Sequence, residues 1–215
     1  DDKPIQKNSA LFRIFPVQSI LPNAADLLLG PPSLRRSQLD WVLFHVEPDF
    51  LVLAHRYKRA LKQRNSWLRS SKPAENGPDP WADVLVTAGA EIEALRSAAV
   101  DVIEPIFSKI VSGVDDRLTC AVAYRDGGML RRKEGLAALA ARRSSDRLIG
   151  ATALGPQRAD LLFRNGLVPC SEALSRGQVK TVSACWALAC SSFLGGKLGS
   201  QPALLFDEIG ADWDS

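Results

Sequence analysis

The chain has little with which to hold a metal ion or cross a membrane. It contains two histidines, His45 and His55, and four cysteines, Cys120, Cys170, Cys185 and Cys190. No two cysteines form a C-x-x-C pair, and neither histidine lies near them in sequence. This argues against a metal cluster and for reduced, buried thiols, which in turn favours the cytoplasm. The longest uncharged run, Thr181 to Gly196, falls short of the roughly 20 apolar residues that span a bilayer. It reads as a buried helix, and no membrane association is expected. A phosphate-binding loop of the form G-x-x-x-x-G-K-[ST] is also missing. Gly195-Gly196-Lys197 comes nearest, but position 191 is Ser and Leu198 stands where Ser or Thr is required. The stretch also follows a helix rather than a strand, so it reads as an ordinary loop. The polar start, Asp1-Asp2-Lys3-Pro4, is no signal peptide. With no initiating Met, and an end soon after Asp207-Glu208, the chain is expected to be a piece of a longer protein.

What is present suffices for a folded core. The 215 residues are 46% hydrophobic and 24% charged, the balance of a globular protein of one or two domains. The net charge of +3 is unevenly placed. From Arg35 to Lys72 there are nine Lys/Arg against three Asp/Glu, and from Arg125 to Arg147 seven against three. Two basic segments on a nearly neutral chain suit a phosphate backbone, and equally suit solvated helix faces. Arg35, Arg36, Arg56, Lys58, Arg59, Lys62 and Arg64 are the candidates for DNA contact, Arg64 serving equally well as a structural residue.

Along the chain, Pro16 to Leu21 reads as a strand, and Ser33 as the N-cap of a helix running to Val46. Phe50, Leu53, Tyr57, Leu61 and Leu68 form the apolar stripe of a helix that follows Pro48. Ser70 to Pro80 is a polar loop. A second long helix carries Trp81, Leu85, Ala88, Ile92, Leu95, Ala99, Val102 and Ile106, with Pro105 expected to kink or divide it. The two long helices suggest an antiparallel arm, with a compact bundle as the alternative. Leu118 to Tyr124 reads as a strand, Arg131 to Arg143 as a helix, and Ala151 to Leu154 as a strand. Asp160 to Arg164 reads as another strand, ended by the hairpin signal Asn165-Gly166. Val179 to Leu194 is a buried helix, and Ala203 to Phe206 a final buried strand of parallel type.

Two segments near the end carry chemistry. Leu174-Ser175-Arg176-Gly177-Gln178 stands just before the uncharged helix. Ser175 can cap that helix, Gly177 allows close backbone approach, and the helix start offers N–H groups and a positive dipole end to a phosphate. One helix length later, Leu204-Leu205-Phe206 ends in Asp207 and Glu208. An acid at the C-terminal edge of such a strand can hold Mg²⁺, and its neighbour can polarise an attacking water. Each segment alone also fits a merely capped helix or a common strand end. Their order and spacing resemble the signature loop and Walker B strand of ABC-type ATPases.

The resemblance extends further. Leu39-Asp40-Trp41, Phe44-His45-Val46-Glu47-Pro48, Leu61-Lys62-Gln63-Arg64-Asn65 and Gly155-Pro156-Gln157-Arg158-Ala159-Asp160-Leu161 join these two segments in order. Over nearly its whole length the sequence resembles the RecF family of bacterial recombination-repair proteins, SMC-like members of the ABC ATPases. The resemblance implies an α/β fold, α+β within this piece: part of an ATPase head (1–32 and 148–215) with a helical arm (33–147) inserted. It implies an ATP-dependent homodimer that binds double-stranded and gapped DNA, promotes recombinase loading and works with RecR and RecO. By the same carry-over, Ser175, Gly177 and Gln178 would contact ATP held by the other protomer. Asp207 would serve Mg²⁺, Glu208 hydrolysis, and Asp214 the loop that crosses the dimer interface.

Some positions depart from the family pattern. Val179 replaces a usual Gln, Gln157 a usual His, and Ala211-Asp212-Trp213-Asp214 the usual Ser-Glu-Leu-Asp. With no phosphate loop, the isolated chain is expected neither to bind ATP tightly nor to hydrolyse it. Two other readings stay open. One is a non-enzymatic DNA-binding arm with a decayed ATP site. The other is a transporter ATPase subunit, whose helical subdomain would be much shorter than Arg35 to Arg147.

Overall fold

Residues 15–21, 23–70, 77–129 and 131–207 are described, from a computed structural model. The chain forms β1 (Val17–Ile20), α1 (Asp26–Leu29), α2 (Pro32–Val46), α3 (Phe50–Arg69) and α4 (Ala82–Val114). These are followed by β2 (Cys120–Arg125), α5 (Arg132–Ala141), α6 (Arg143–Ile149) and a 3-10 turn at Pro156–Arg158. Last come β3 (Asp160–Asn165), β4 (Val168–Pro169), α7 (Cys170–Ala173), α8 (Arg176–Leu198) and β5 (Ala203–Phe206). This is the expected mixture of helices and sheets. No described helix is long and apolar enough to cross a membrane.

Contacts divide the chain into two units. The first comprises residues 1–47, 99–123 and 161–215, the second 48–98 and 124–160. The cuts fall at 47/48, between α2 and α3, and inside α4, β2 and β3.

The first unit is organised by α8. Trp186 on this helix is wholly buried and meets Phe107 of α4 and Phe163 of β3 edge-on, at ring separations of 5.7 and 5.3 Å. Phe107 and Phe163 close the triangle at 5.6 Å. Such edge-to-face contacts add to the area that large aromatic side chains bury. Val179, Val182, Cys190 and Leu194 extend the same core along α8, and Leu39, Val42 and Leu43 bury the inner face of α2. The four cysteines are buried, as expected. β1 and β5 pair in parallel, with Val17 opposite Ala203 and Ile20 opposite Phe206. β5 is not the buried strand its composition suggests: Leu205 and Phe206 are exposed at 58% and 46%. The order in the second sheet is β2-β3-β4. Its β3–β4 hairpin turns through Gly166 at φ +59°, a left-handed conformation that glycine adopts without strain.

The second unit is built on α3, whose buried residues are Phe50, Leu53, Tyr57, Ala60, Arg64 and Leu68. Steps of three and four trace one face of a helix, and an arginine lies on it. Arg64 has no solvent exposure. Its Nε donates to Asp79 Oδ2 and its Nη1 to Asp146 Oδ2, both at 2.7 Å, and Nη1 also reaches Thr152 Oγ1 at 2.8 Å. Asn65 Oδ1 accepts from the Thr152 N–H at 2.8 Å, and Asp146 Oδ1 from the Ala153 N–H at 3.0 Å. These side chains occupy backbone groups that a strand would pair, so 151–154 is irregular rather than the expected strand.

A second buried cluster surrounds Glu93 on α4. Its carboxylate accepts from the Gly127 N–H at 2.7 Å and the Met129 N–H at 3.1 Å. Arg96 Nη1 donates to Pro156 O at 2.7 Å, and the Tyr57 hydroxyl donates to Gln157 Oε1. Gly127 and Gly155 bring their backbones together: a Cβ on Gly127 would lie 1.9 Å from Gly155 O. Burial pushes the Glu93 carboxyl up to about 7, against the pull of its two N–H bonds.

Three further expectations change. α2 begins at Pro32, not under a Ser33 cap, because proline suits the first helical position, where its missing N–H has no intrahelical partner. Pro105 lies inside α4 without dividing it. Its side chain is exposed, so the disturbed backbone there faces water. Beyond Leu95 the buried face of α4 is Ala99, Ile103, Phe107 and Val111, whereas Val102 is 51% exposed. Apolar residues on both sides of the helix made either stripe readable.

Replacing Arg64 by Met should leave Asp146 buried without its cation and lower stability by about 3–5 kcal/mol, measured by chemical denaturation. The raised Glu93 carboxyl makes the folded state bind more protons than the unfolded one between its ordinary value near 4.5 and about 7. Stability should therefore fall as pH rises through that window. Glu93→Gln should be less stable at low pH but lose this slope, read from melting temperatures between pH 4 and 8.

Candidate functional site

The N-terminus of α8 is held by a reciprocal cap. The Ser175 backbone is extended (φ −65°, ψ 163°), and its Oγ accepts from the Gln178 N–H at 3.3 Å. Gln178 Oε1 accepts from the Ser175 N–H at 3.0 Å. This arrangement satisfies two otherwise orphaned donors. The cap uses Ser175 Oγ and Gln178 Oε1 as acceptors and so leaves the hydroxyl proton and the amide N–H groups as donors. A Cβ on Gly177 would meet nothing within 4 Å, so the space beside Gly177 in the first turn is open. The dipole of a 23-residue helix makes the helix start favourable to an anion. Val179, by contrast, is 1% exposed. The departure from the family's Gln therefore lies on the core side of the helix.

Asp207 follows β5 and is exposed, with its N–H donating to Ile20 O at 3.1 Å. It thus sits at the C-terminal edge of a parallel strand pair, where ligands bind in open α/β sheets. Mg²⁺ needs only one or two carboxylates when phosphate oxygens and waters complete its shell, so a lone exposed aspartate here fits such an ion. Among the described residues no three His, Cys, Asp or Glu side chains gather into a metal site. Glu208 and Asp214 lie outside the described residues, as does Trp213. Gly195, Gly196 and Lys197 are helical, not a loop, because α8 continues to Leu198 and closes on Gly199 at φ +69°.

The seven basic candidates divide by burial. Arg35 is 8% exposed and its Nη1 donates to the carbonyls of Leu27, Leu28 and Gly30 at 2.9, 3.3 and 3.0 Å. It closes the C-terminal end of α1, where a cation also suits the helix dipole. Arg64 is buried in its ion-pair network. Both guanidinium groups are buried, so for Arg64 the structural role that the sequence also allowed is the one seen, and Arg35 is taken up by backbone carbonyls. Arg36 is half-buried, while Arg56, Lys58, Arg59 and Lys62 are exposed along α3. On the second unit, His55, Arg56, Arg59 and Gln63 of α3 line an open groove with Trp81 and Val84 at the start of α4. The sequence reading treated Trp81 as a core residue, the ordinary reading of a Trp on an apolar stripe; the polar residues that frame it come from another helix.

No family model matches the chain. Curated relatives do. The DNA replication and repair protein RecF of Pseudomonas fluorescens (strain SBW25) is 35% identical over 214 residues, which is all of this chain and 58% of that protein. RecF of Pseudomonas aeruginosa (strain LESB58) is 35% identical over 217 residues, with the same coverage. The recombination mediator protein RecF-ATPrS of the RecFOR pathway superposes with a TM-score of 0.89 at 21% identity. That match covers 98% of this chain and 59% of the solved one. In sequence and in fold, the chain is RecF-like. The RecF-ATP structure gives a TM-score of 0.85 at 22% identity over 94% of this chain. The chain spans less than two thirds of the length of the RecF proteins it matches.

If the cap fixes the start of α8, Ser175→Ala should cost about 1 kcal/mol. Gly177→Ala, with open space beside it, should stabilise by about 0.5–1 kcal/mol. Thermal unfolding of the two variants checks both.

Proposed function

We propose that this chain is the signature-loop and arm portion of an ATP-dependent DNA-repair protein of the RecF kind. The observation that carries the reading is the spacing of α8 and β5. An anion-ready helix start with open space beside Gly177 is followed, one helix later, by a parallel strand ending in an exposed aspartate. Alignment of the whole chain with 58% of the length of RecF proteins supports it. In this reading Ser175, Gly177 and Gln178 meet the terminal phosphate of ATP bound by a second protomer. Asp207 holds Mg²⁺, Glu208 polarises the attacking water, and Asp214 belongs to the loop that crosses the homodimer interface. The phosphate loop comes from the rest of a complete RecF polypeptide, so the isolated chain binds ATP weakly and hydrolyses none.

Arg56, Lys58, Arg59 and Lys62 neutralise DNA phosphates in this reading, which extends to gapped duplex DNA, recombinase loading and the partners RecR and RecO. The buried position of Val179 removes one of the two reasons for considering a decayed ATP site. The long α3–α4 region keeps the transporter reading in last place.

The test is DNA binding by a complete RecF polypeptide carrying these 215 residues, with and without ATP, beside its Ser175→Arg variant. A bulky cation at position 175 blocks closure over the γ-phosphate. ATP should tighten binding to gapped duplex DNA by tenfold or more, and the variant should lose that response. Equal binding by both proteins, with or without ATP, would overturn the ATP-dependent reading and favour a DNA-binding arm alone.

A further inference from the structure

The groove on the second unit holds more than a row of cations needs. It is lined by Val52, His55, Arg56, Arg59, Gln63 and Trp81, with Ala60 and Val84 completing its floor, and has a volume of about 330 Å³. Arg56 and Arg59 are exposed, and among the described residues neither has a hydrogen-bond or ion-pair partner. Among the described residues, the acids nearest Trp81 in sequence are engaged elsewhere: Asp79 with Arg64, and Asp83 with Arg132. The groove thus presents the charges of Arg56 and Arg59.

Trp81 is half-buried, and its backbone is fixed. Its N–H donates to Asp79 Oδ1 at 3.0 Å, while Asp79 Oδ2 is held by the buried Arg64. The indole thus stands on a braced backbone beside two unpaired guanidinium groups, a valine pair and the Gln63 amide.

We propose that this groove seats an unpaired nucleotide, with Trp81 as the stacking surface and Arg56 and Arg59 on the flanking phosphates. The inference rests on the DNA-binding reading above and assigns it a substrate class. A duplex backbone would use the arginines but leave the aromatic and aliphatic surface idle, because paired bases are stacked inside the helix. A single-stranded segment uses both, since cationic grooves with aromatic faces bind it through phosphates and base stacking together. Gln63 offers a donor and an acceptor to the edge of the base. An acidic peptide would satisfy the cations alone.

The experiment compares a complete RecF polypeptide carrying these 215 residues, with ATP present, with its Trp81→Ala, Trp81→Phe and Arg59→Gln variants on two labelled DNAs. One is a blunt duplex; the other is the same duplex with an unpaired tail containing 2-aminopurine. Trp81→Ala should weaken binding to the tailed DNA at least about fivefold, change blunt-duplex binding less than twofold, and abolish the stacking quench of 2-aminopurine. Trp81→Phe should retain most of both. Arg59→Gln should weaken both DNAs and reduce the salt slope by about 1.

Equal losses on both DNAs with an unchanged quench overturn the proposal, as does competition by a poly-glutamate peptide that displaces tailed and blunt DNA alike. Should Trp81→Ala fail to fold, Trp81→Leu, which keeps apolar bulk without an aromatic face, should lose the quench; a retained quench overturns the proposal. Binding to both DNAs that ignores every Trp81 change removes the groove but leaves the DNA-binding reading intact. Absence of any DNA binding removes both.

Discussion

A guanidinium with no access to water sets the terms for the second unit. Removing a charge from solvent costs several kcal/mol, and the cost is offset only when partners surround it with good geometry. Arg64 recruits those partners from distant parts of the chain: Asp79 from the segment before α4, Asp146 from α6, and Thr152 from the loop beyond. Each partner is then used twice. Asp79 also fixes the backbone at Trp81, and Asp146 also holds the N–H of Ala153. The irregular stretch 151–154, the entry to α4 and the aromatic wall of the groove thus all refer back to one side chain. The neighbouring cluster of Tyr57, Glu93, Arg96 and Gln157 works likewise, satisfying loop backbone groups that no strand or helix would pair.

Much of this was legible in the sequence, and the failures have physical causes. Helix positions followed from apolar spacing; the burial of Arg64 did not, although it stands seven residues after Tyr57 on the same face. A charged side chain there is read as a surface residue only if composition is given more weight than period. The far half of α4 misled for the opposite reason: Val102 and Ile103 are both apolar, and only the packing of Phe107 shows which side faces inward. Arg35 was read as a surface cation because its acceptors are three backbone carbonyls, which leave no mark in side-chain composition. Gly195 and Gly196 looked like a loop because glycine disfavours helix interiors by about 1 kcal/mol each. That penalty is small beside the burial of Trp186, Cys190 and Leu194 along the same helix.

The candidate site was legible in a different way. Ser175, Gly177 and Gln178 were recognisable because a helix cap and an anion site ask for the same residues, and the structure places them as a cap. The four residues of β5 were legible as a strand but not as an exposed one, since exposure depends on what lies beside a strand and not on its own composition. Trp81 escaped notice because its polar neighbours belong to another helix, brought together only by the tertiary fold.

The reciprocal bond between Ser175 and Gln178 bears on time as well as on energy. A loop that must be ordered by its ligand forfeits about 1–2 kcal/mol of backbone freedom for each residue it fixes. Such a loop also waits on its own rearrangement before contact is complete. Here the loop is already fastened by the cap, through groups that keep donors in reserve. If the proposed ATP sandwich forms, recognition at this helix start needs no folding step, and its speed is set by how quickly the two surfaces meet.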